Sequence, residues 1–329
     1  MKVHPKARIL GTGAYLPERR LTNADLEKIV DTSDEWITTR TGISERRVAA
    51  DGEATSDLAF FASQQALDAA KLTAGDLDMI IVATISPDTI FPSTACLLQK
   101  RLGARTIPAF DLAAACSGFL YGLEIARHMI VAGSHRHILV VGGEVLTRFT
   151  DYEDRASCVL FGDGAGAVVV GPTNDANGIL DTLMGADGRY EDLLQLPGGG
   201  SRVPPTHESV DARQHYMKIK GRAVYKLAVT YIVEVVRILL KQNGLDPNQV
   251  DLYIPHQMNT RIIEAAAERL GITMDRVFVN IDHCGNTSAA SIPIALDEAV
   301  RTGRLRPGMH VVLVAFGGGL TWAATLLRW

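Results

Sequence analysis

Apolar and polar positions along the chain fall into two periodicities. Met79-Ile80-Ile81-Val82-Ala83 is an unbroken, largely β-branched run, which predicts a strand buried on both faces. Just before it, Asp57 to Ala70 carries apolar residues at helical spacing. The alternation continues with a strand from Ile107 to Leu112, then Phe119, Leu123, Ala126 and Ile130 as the stripe of a helix ending at Gly133. Such alternation predicts an α/β chain with parallel strands. Val311 to Leu327 is the longest uncharged run, but Gly317-Gly318-Gly319 cuts it into strand, turn and strand, so no membrane span is expected there. Leu194 to His215, with Pro197, Gly198-Gly199-Gly200 and Pro204-Pro205, reads as a loop, either a lid or a crossover linker.

The pattern occurs twice. Leu72…Asp76-Leu77-Asp78-Met79-Ile80 is echoed by Leu245…Gln249-Val250-Asp251-Leu252-Tyr253, and Arg101-Leu102-Gly103 by Arg269-Leu270-Gly271. Asp78 and Asp251 stand 173 positions apart, Arg101 and Arg269 168. Cys158 to Val170 and Val311 to Leu327 also read alike, as strand, glycines, strand. Order and spacing together predict one duplicated unit, with halves at 1–173 and 174–329.

Composition excludes several classes. With 329 residues, 47% hydrophobic and 21% charged, the chain lies outside the range of disordered or fibrous proteins. A formal net charge of −4 gives no overall basic field to collect nucleic acid or an anionic membrane, so any anionic partner must meet a local patch. The start, Met1 to Arg8 and a short apolar stretch to Gly11, is too brief for a secretory signal. A cytoplasmic protein with four reduced thiols, Cys96, Cys116, Cys158 and Cys284, is therefore expected.

Cys116 falls where a strand turns into a helix, and unpaired amides and the dipole at a helix start lower a thiol's pKa. A cysteine merely packed at a helix start is the other reading. In the second half, the strand Asp251-Leu252-Tyr253-Ile254 delivers His256 at its end, and a later strand, Val277 to Ile281, leads to Asn286. Ligands of open α/β sheets gather outside those strand ends, so Cys116, His256 and Asn286 are expected at one site. A thiolate facing an imidazole and a carboxamide is a nucleophile with two hydrogen-bond donors opposite, although each residue alone also fits a packing or capping role.

Five blocks in order, Asp34 to Ile43, Ala113 to Gly118, His256 to Asn259, Gly285 to Ser291 and Ala315 to Trp322, resemble the β-ketoacyl-acyl-carrier-protein synthase III family of the thiolase superfamily over essentially the whole chain. Elongating synthases of that superfamily pair the cysteine with two histidines and thiolases use a second cysteine, whereas Asn286 in Gly285-Asn286-Thr287 matches the initiating branch. The resemblance implies a thiolase-like α/β fold, two duplicated halves packed as an α-β-α-β-α core, the first carrying the nucleophile and the second His and Asn. It implies a homodimeric acyltransferase of fatty acid synthesis that initiates chains. Cys116 takes an acetyl or short acyl group from acyl-CoA, and malonyl-carrier protein then loses CO2 and condenses with it; no cofactor is needed beyond the CoA thioester substrate. A starter-unit synthase or acyltransferase of secondary metabolism with the same three residues is the alternative.

By the same resemblance, the Cys116 and Gly318 amides form the oxyanion hole. Trp36 stacks on adenine, Arg40, Thr41 and Arg155 meet the phosphate and pantetheine end, and Asn259 and Phe316 line the substrate tunnel. Phe91 reaches across the dimer to limit the acyl pocket. Met258, Tyr225 and His283 depart from the usual family residues, with Tyr225 near the tunnel mouth. No acidic residue lies between Asp211 and Glu234, while Lys218, Lys220, Arg222 and Lys226 do, and Arg261 extends the face. This is expected to dock the acidic carrier protein, the other reading being a solvated basic stretch.

Rival readings are weaker. Gly11-Thr12-Gly13 and Gly162-Asp163-Gly164-Ala165-Gly166 lack the third glycine and the helix of a dinucleotide fingerprint and read as turns. His135, His137, His283 and Cys284 lack metal-ligand spacing, so no metal is expected. A non-catalytic scaffold binding CoA or the carrier is disfavoured by the joint presence of Cys116, His256 and Asn286.

Overall fold

A computed structural model describes residues 7–329; residues 1–6, the start of the segment read above as too short for a secretory signal, lie outside the described residues. Nine strands form two main sheets. The first holds β1 (Ala7–Tyr15), β2 (Met79–Ala83), β3 (Ala109–Leu112), β4 (Ile138–Val145) and β5 (Asp163–Pro172), in the order β1-β5-β4-β2-β3. The second holds β6 (Gly178–Ala186), β7 (Leu252–Pro255), β8 (His310–Gly317) and β9 (Thr321–Arg328), in the order β6-β9-β8-β7. In each, two antiparallel pairings are followed by a parallel one, so the same winding occurs twice.

Unbroken apolar strands need cover on both faces, and helices supply it in three layers. Outside the first sheet lie α1 (Thr55–Ala70) and α2 (Thr94–Leu102), where Leu58, Ala62 and Leu98 pack on Ile80, Val82 and Val141. Between the sheets lie α3 (Gly118–Val131) and α6 (Ser291–Arg301). Their Phe119, Leu123, Ile292 and Leu296 join Ile81 and Val140 of one sheet to Leu313 and Ile254 of the other in one continuous core. Outside the second sheet lie α4 (Gly221–Gln242) and α5 (Thr260–Leu270), packed on Val312, Val314 and Leu326. The result is the α-β-α-β-α layering.

Several local expectations are corrected. The counterpart of β8 is β4, not the segment after Cys158, since Arg155–Cys158 is a helical turn. Val277 to Ile281 is not a strand: Val277 makes a single parallel bridge to Tyr253, and a helical turn runs Ile281–Cys284. The Gln257 side chain takes the backbone there instead, donating to the Phe278 carbonyl and accepting from the Asn280 amide, each at 3.0 Å. Gly11, Gly13, Gly164 and Gly166 lie within strands, not turns. Helices pack directly on those strands, so a Cβ at Gly11 would come within 2.3 Å of the Ala66 carbonyl, and one at Gly166 within 2.6 Å of the Ile294 amide. The 194–215 segment carries a short strand, Leu194–Gln195, and a helix, His207–Asp211, capped by Thr206. Among the described residues, no helix is long and apolar enough to cross a membrane.

Candidate active site

The two central helices start at the same place in their respective halves, and the turn before each one carries candidate residues. Cys116 sits in the turn Ala115–Ser117 ahead of α3, and Asn286 precedes the turn Ser288–Ala290 ahead of α6. Each turn contains a non-glycine residue in the left-handed region, Ala115 at φ +44° and Ser288 at φ +47°. Such conformations cost about 1–3 kcal/mol and persist only where surrounding structure imposes them. His256 follows β7, its amide tied to the Val314 carbonyl at 2.7 Å.

Cys116, His256 and Asn286 are all buried and line one cavity of about 130 Å³, which extends past Phe316 and Met258 to Tyr225 and Asn259. A second cavity of about 210 Å³, walled by Leu146, Phe149, Met217 and Gly318, meets Cys116 from the other side. The thiol therefore stands between a passage and an apolar pocket. Gly317 lies hard against it: a Cβ there would come within 2.7 Å of the Cys116 amide nitrogen.

Hydrogen bonds orient both donors. His256 Nδ1 lies 2.6 Å from Ser291 Oγ, and that oxygen accepts from the Gln257 amide at 3.4 Å. The Ser291 hydroxyl has no other acceptor among the described residues, so it donates to Nδ1, which leaves the ring proton on Nε2. Nε2 is buried and has no partner among the described residues. Burial also pulls the imidazole down to about 3, so it is neutral. Asn286 Oδ1 accepts from the Ser288 amide at 2.9 Å, which fixes the orientation of the side-chain amide. At Cys116 two effects oppose one another: burial pushes the thiol up to about 12, and the helix start favours the thiolate.

The remaining candidates divide. The Trp36 ring lies between two guanidiniums, with Arg40 4.9 Å and Arg155 4.6 Å from its centroid, so three of the expected CoA contacts are neighbours. Thr41 does not join them: its buried hydroxyl donates to the Ile37 carbonyl at 2.7 Å and accepts from the Ile43 amide at 3.0 Å, so it holds the end of its own helix. Asn259 caps α5 through the Arg261 amide and donates to the Arg40 carbonyl, both at 2.9 Å. Phe316 is buried against Tyr231. Phe91 is 84% exposed and lines neither cavity, which excludes a core role.

The basic face is narrower than its sequence. Lys218 lies 3.6 Å from Asp151, and Lys220 is bonded to Asp192, acids supplied by other segments. Arg222, Lys226 and Arg261 are exposed and flank Tyr225 at the cavity mouth. His283 is brought together with Cys284 and Glu298, while His135 and His137 lie elsewhere. Asp282 at 3.0 Å and Glu298 at 3.3 Å hold His283 as a cation, pushed up to about 12, which is unsuited to a metal ligand. All four cysteines are free.

Ser291 and Ser288 were not singled out from sequence, although both belong to the Gly285–Ser291 block.

Comparison with known proteins agrees with this geometry. Family models for 3-oxoacyl-[acyl-carrier-protein] synthase III match residues 110–188, and for its C-terminal part residues 240–329. A β-ketoacyl-[acyl-carrier-protein] synthase III from Caldanaerobacter subterraneus subsp. tengcongensis is 54% identical over 98% of both chains. One from Clostridioides difficile is 51% identical over 99% of both. The crystal structure of the Aquifex aeolicus VF5 enzyme superposes with a TM-score of 0.92 at 51% identity, covering 98% of this chain and all of that one. A priming β-ketosynthase from the R1128 polyketide pathway shares the fold, TM-score 0.91, at 34% identity, covering all of this chain and 98% of that one. Full-length identity above one half, with the same layered fold and the cysteine, histidine and asparagine at one cavity, makes this chain a member of the β-ketoacyl-[acyl-carrier-protein] synthase III family.

Proposed function

We propose that Cys116, His256 and Asn286 carry out the condensing reaction of this family in two half-reactions. The chain is an acyltransferase that initiates fatty acid synthesis: an acetyl or short acyl group passes from acyl-CoA to a cysteine, and malonyl-carrier protein condenses with it, releasing CO2. The observation that carries the residue assignment is that His256 Nε2, buried and without a hydrogen-bond partner among the described residues, and the Asn286 amide, held by its Oδ1, line the same cavity as the Cys116 thiol.

Decarboxylation moves an electron pair from the breaking carbon–carbon bond onto the thioester oxygen. Two neutral donors held in a buried cavity would stabilise that enolate without reorganising. Its carbanion carbon then attacks the acyl carbonyl on Cys116. The tetrahedral oxyanion there would be met by the Cys116 and Gly318 amides, and loss of one such donor typically costs about a hundredfold or more. Trp36, Arg40 and Arg155 would hold the nucleotide end of CoA, Asn259 and Phe316 its arm, and Arg222, Lys226 and Arg261 the carrier. The same proposal includes a homodimer completed by Phe91, a cytoplasmic location, duplicated halves at 1–173 and 174–329, and no cofactor beyond the CoA thioester. Identity of 54% to an initiating synthase, against 34% to the polyketide-priming one, favours fatty acid synthesis over the secondary-metabolism alternative.

Incubation with acetyl-CoA followed by peptide mapping tests the assignment. The added acyl mass is expected on Cys116, and Cys116→Ser should not acylate. His256→Ala and Asn286→Ala should acylate yet lose malonyl decarboxylation. A label on Cys96, Cys158 or Cys284 would sink the nucleophile assignment, and native decarboxylation in both alanine variants would sink the donor pair.

A further inference from the structure

The two enolate donors come from separate stretches of chain, so their spacing has to be set by something that joins the stretches. His256 has anchors of its own: its amide donates to the Val314 carbonyl at 2.7 Å, and Ser291 holds its ring at 2.6 Å. Asn286 ends a segment that has no strand, only an isolated bridge at Val277, the helical turn Ile281–Cys284 and a second bridge at Asn286 itself. That second bridge runs to the first half, from the Asn286 amide to the Leu160 carbonyl at 2.9 Å and from the Gly162 amide to the Asn286 carbonyl at 3.1 Å. It places Asn286 against the half that carries Cys116, not against His256.

The residue after His256 makes the missing connection. Gln257 is 1% exposed, and its carboxamide is fully engaged with backbone. Nε2 donates to the Pro255 carbonyl at 2.9 Å and to the Phe278 carbonyl at 3.0 Å, while Oε1 accepts from the Asn280 amide at 3.0 Å. From Asn280 the helical turn carries the chain to the donor: the Cys284 amide bonds the Asn280 carbonyl at 3.3 Å and the Gly285 amide the Ile281 carbonyl at 2.9 Å, and Asn286 follows. Asn280, also 1% exposed, donates through Nδ2 to Glu298 at 2.8 Å. Glu298 lies on α6, the helix whose first residue is Ser291. His256, Ser291, α6, Glu298, Asn280 and Gln257 thus close a ring of contacts behind the cavity.

We propose that Gln257 is a positioning residue for decarboxylation: its carboxamide sets where the Asn286 segment stands against His256, and so the separation of the two donors. This rests on His256 and Asn286 being the enolate donors. Two donors and one acceptor on a single planar group are needed here, a set that only a carboxamide supplies. An apolar side chain leaves two carbonyls and an amide of the two segments without partners, and the segments then lose their common reference. Gln257 does not line the cavity, so its influence on the reaction passes through the donors alone.

The test compares the two half-reactions in Gln257→Met, after thermal melting has shown the variant to be folded. Acyl uptake from acetyl-CoA should stay near the native rate. Decarboxylation of malonyl-carrier protein should slow roughly 10- to 100-fold, the upper figure being the cost of about 1 Å of misplacement. The loss should fall on kcat, with KM for malonyl-carrier protein unchanged. Gln257→Glu keeps the size of the side chain, and burial favours its protonated form. That form still accepts from the Asn280 amide and donates to one of the two carbonyls, so its decarboxylation rate should lie between native and Gln257→Met. If Gln257→Met does not fold, the same comparisons are read on Gln257→Glu. In Asn286→Ala there is no second donor left to place, so adding Gln257→Met should cost little further decarboxylation. Losses that multiply in the double variant, equal losses in both half-reactions, or native decarboxylation in Gln257→Met overturn the positioning role. Native decarboxylation in both His256→Ala and Asn286→Ala overturns the donor pair itself, a separate result read without any Gln257 variant.

Discussion

Replacing Ser291 with alanine separates the two half-reactions through one hydroxyl group. The 2.6 Å contact to His256 Nδ1 is buried, and no other partner of that nitrogen is present among the described residues. Removing the hydroxyl strands a buried acceptor, at a cost of about 1–3 kcal/mol. It also frees the imidazole to place its proton on either nitrogen, and a ring protonated at Nδ1 offers no donor to the enolate. If the whole cost falls on the decarboxylation transition state, a factor of ten per 1.36 kcal/mol gives a loss of roughly 5- to 150-fold. Acylation by acetyl-CoA draws nothing from Nε2–H and should stay near the native rate. The assay measures CO2 release from malonyl-carrier protein beside acyl-enzyme formation by mass, with thermal melting to show that the variant is folded. Ser291→Thr should restore decarboxylation. Equal losses in both half-reactions, or native decarboxylation in Ser291→Ala, would refute the tautomer assignment.

Three further outcomes are expected. Arg222→Glu with Lys226→Glu should slow use of malonyl-carrier protein, most at low salt, and leave acetyl-CoA acylation nearly intact, because rim charges act on association; steady-state kinetics at two ionic strengths checks it. His283 has a folded pKa above its unfolded value, so its stabilisation is complete below about pH 6.5 and fades as pH rises toward the folded value. The melting deficit of His283→Gln should accordingly be larger at pH 6 than at pH 9. Phe91 and Ile90 are 84% and 82% exposed, and sedimentation should give a dimer that Phe91→Asp weakens; a native monomer at micromolar concentration would remove the proposed dimer.

How far the sequence could be read depended on which force governed each residue. β2 was legible to the residue because both its faces are covered, leaving no polar position to blur the pattern. Val277 to Ile281 looked the same, but its partner is the Gln257 side chain, a contact from more than one turn of chain away that no periodicity encodes. The strand glycines misled for a related reason: sequence shows that a Cβ is absent, not whether the backbone turns or a helix presses against it. The convergence of Cys116, His256 and Asn286 followed from where strands end. Their electrostatics did not, because burial acts on the thiol against the helix start, and burial is visible only in the packed structure. Thr41 and the lysines at 218 and 220 lost their expected roles to partners remote in sequence or hidden in their own helix.

The layer of α3 and α6 between the two sheets has a consequence for how the molecule could be taken apart. The chain crosses from one sheet to the other between Pro172 and Gly178, and each central helix starts beneath its own half's contribution to the cavity. A fragment ending at Thr173 would own the thiol and the whole first sheet, yet neither enolate donor. The remainder would own both donors and nothing to acylate. Each would also expose the apolar side of a central helix that matches the other. Coexpressed as two polypeptides, the pieces would have strong reason to associate and no activity until they did, so turnover would report their reassembly.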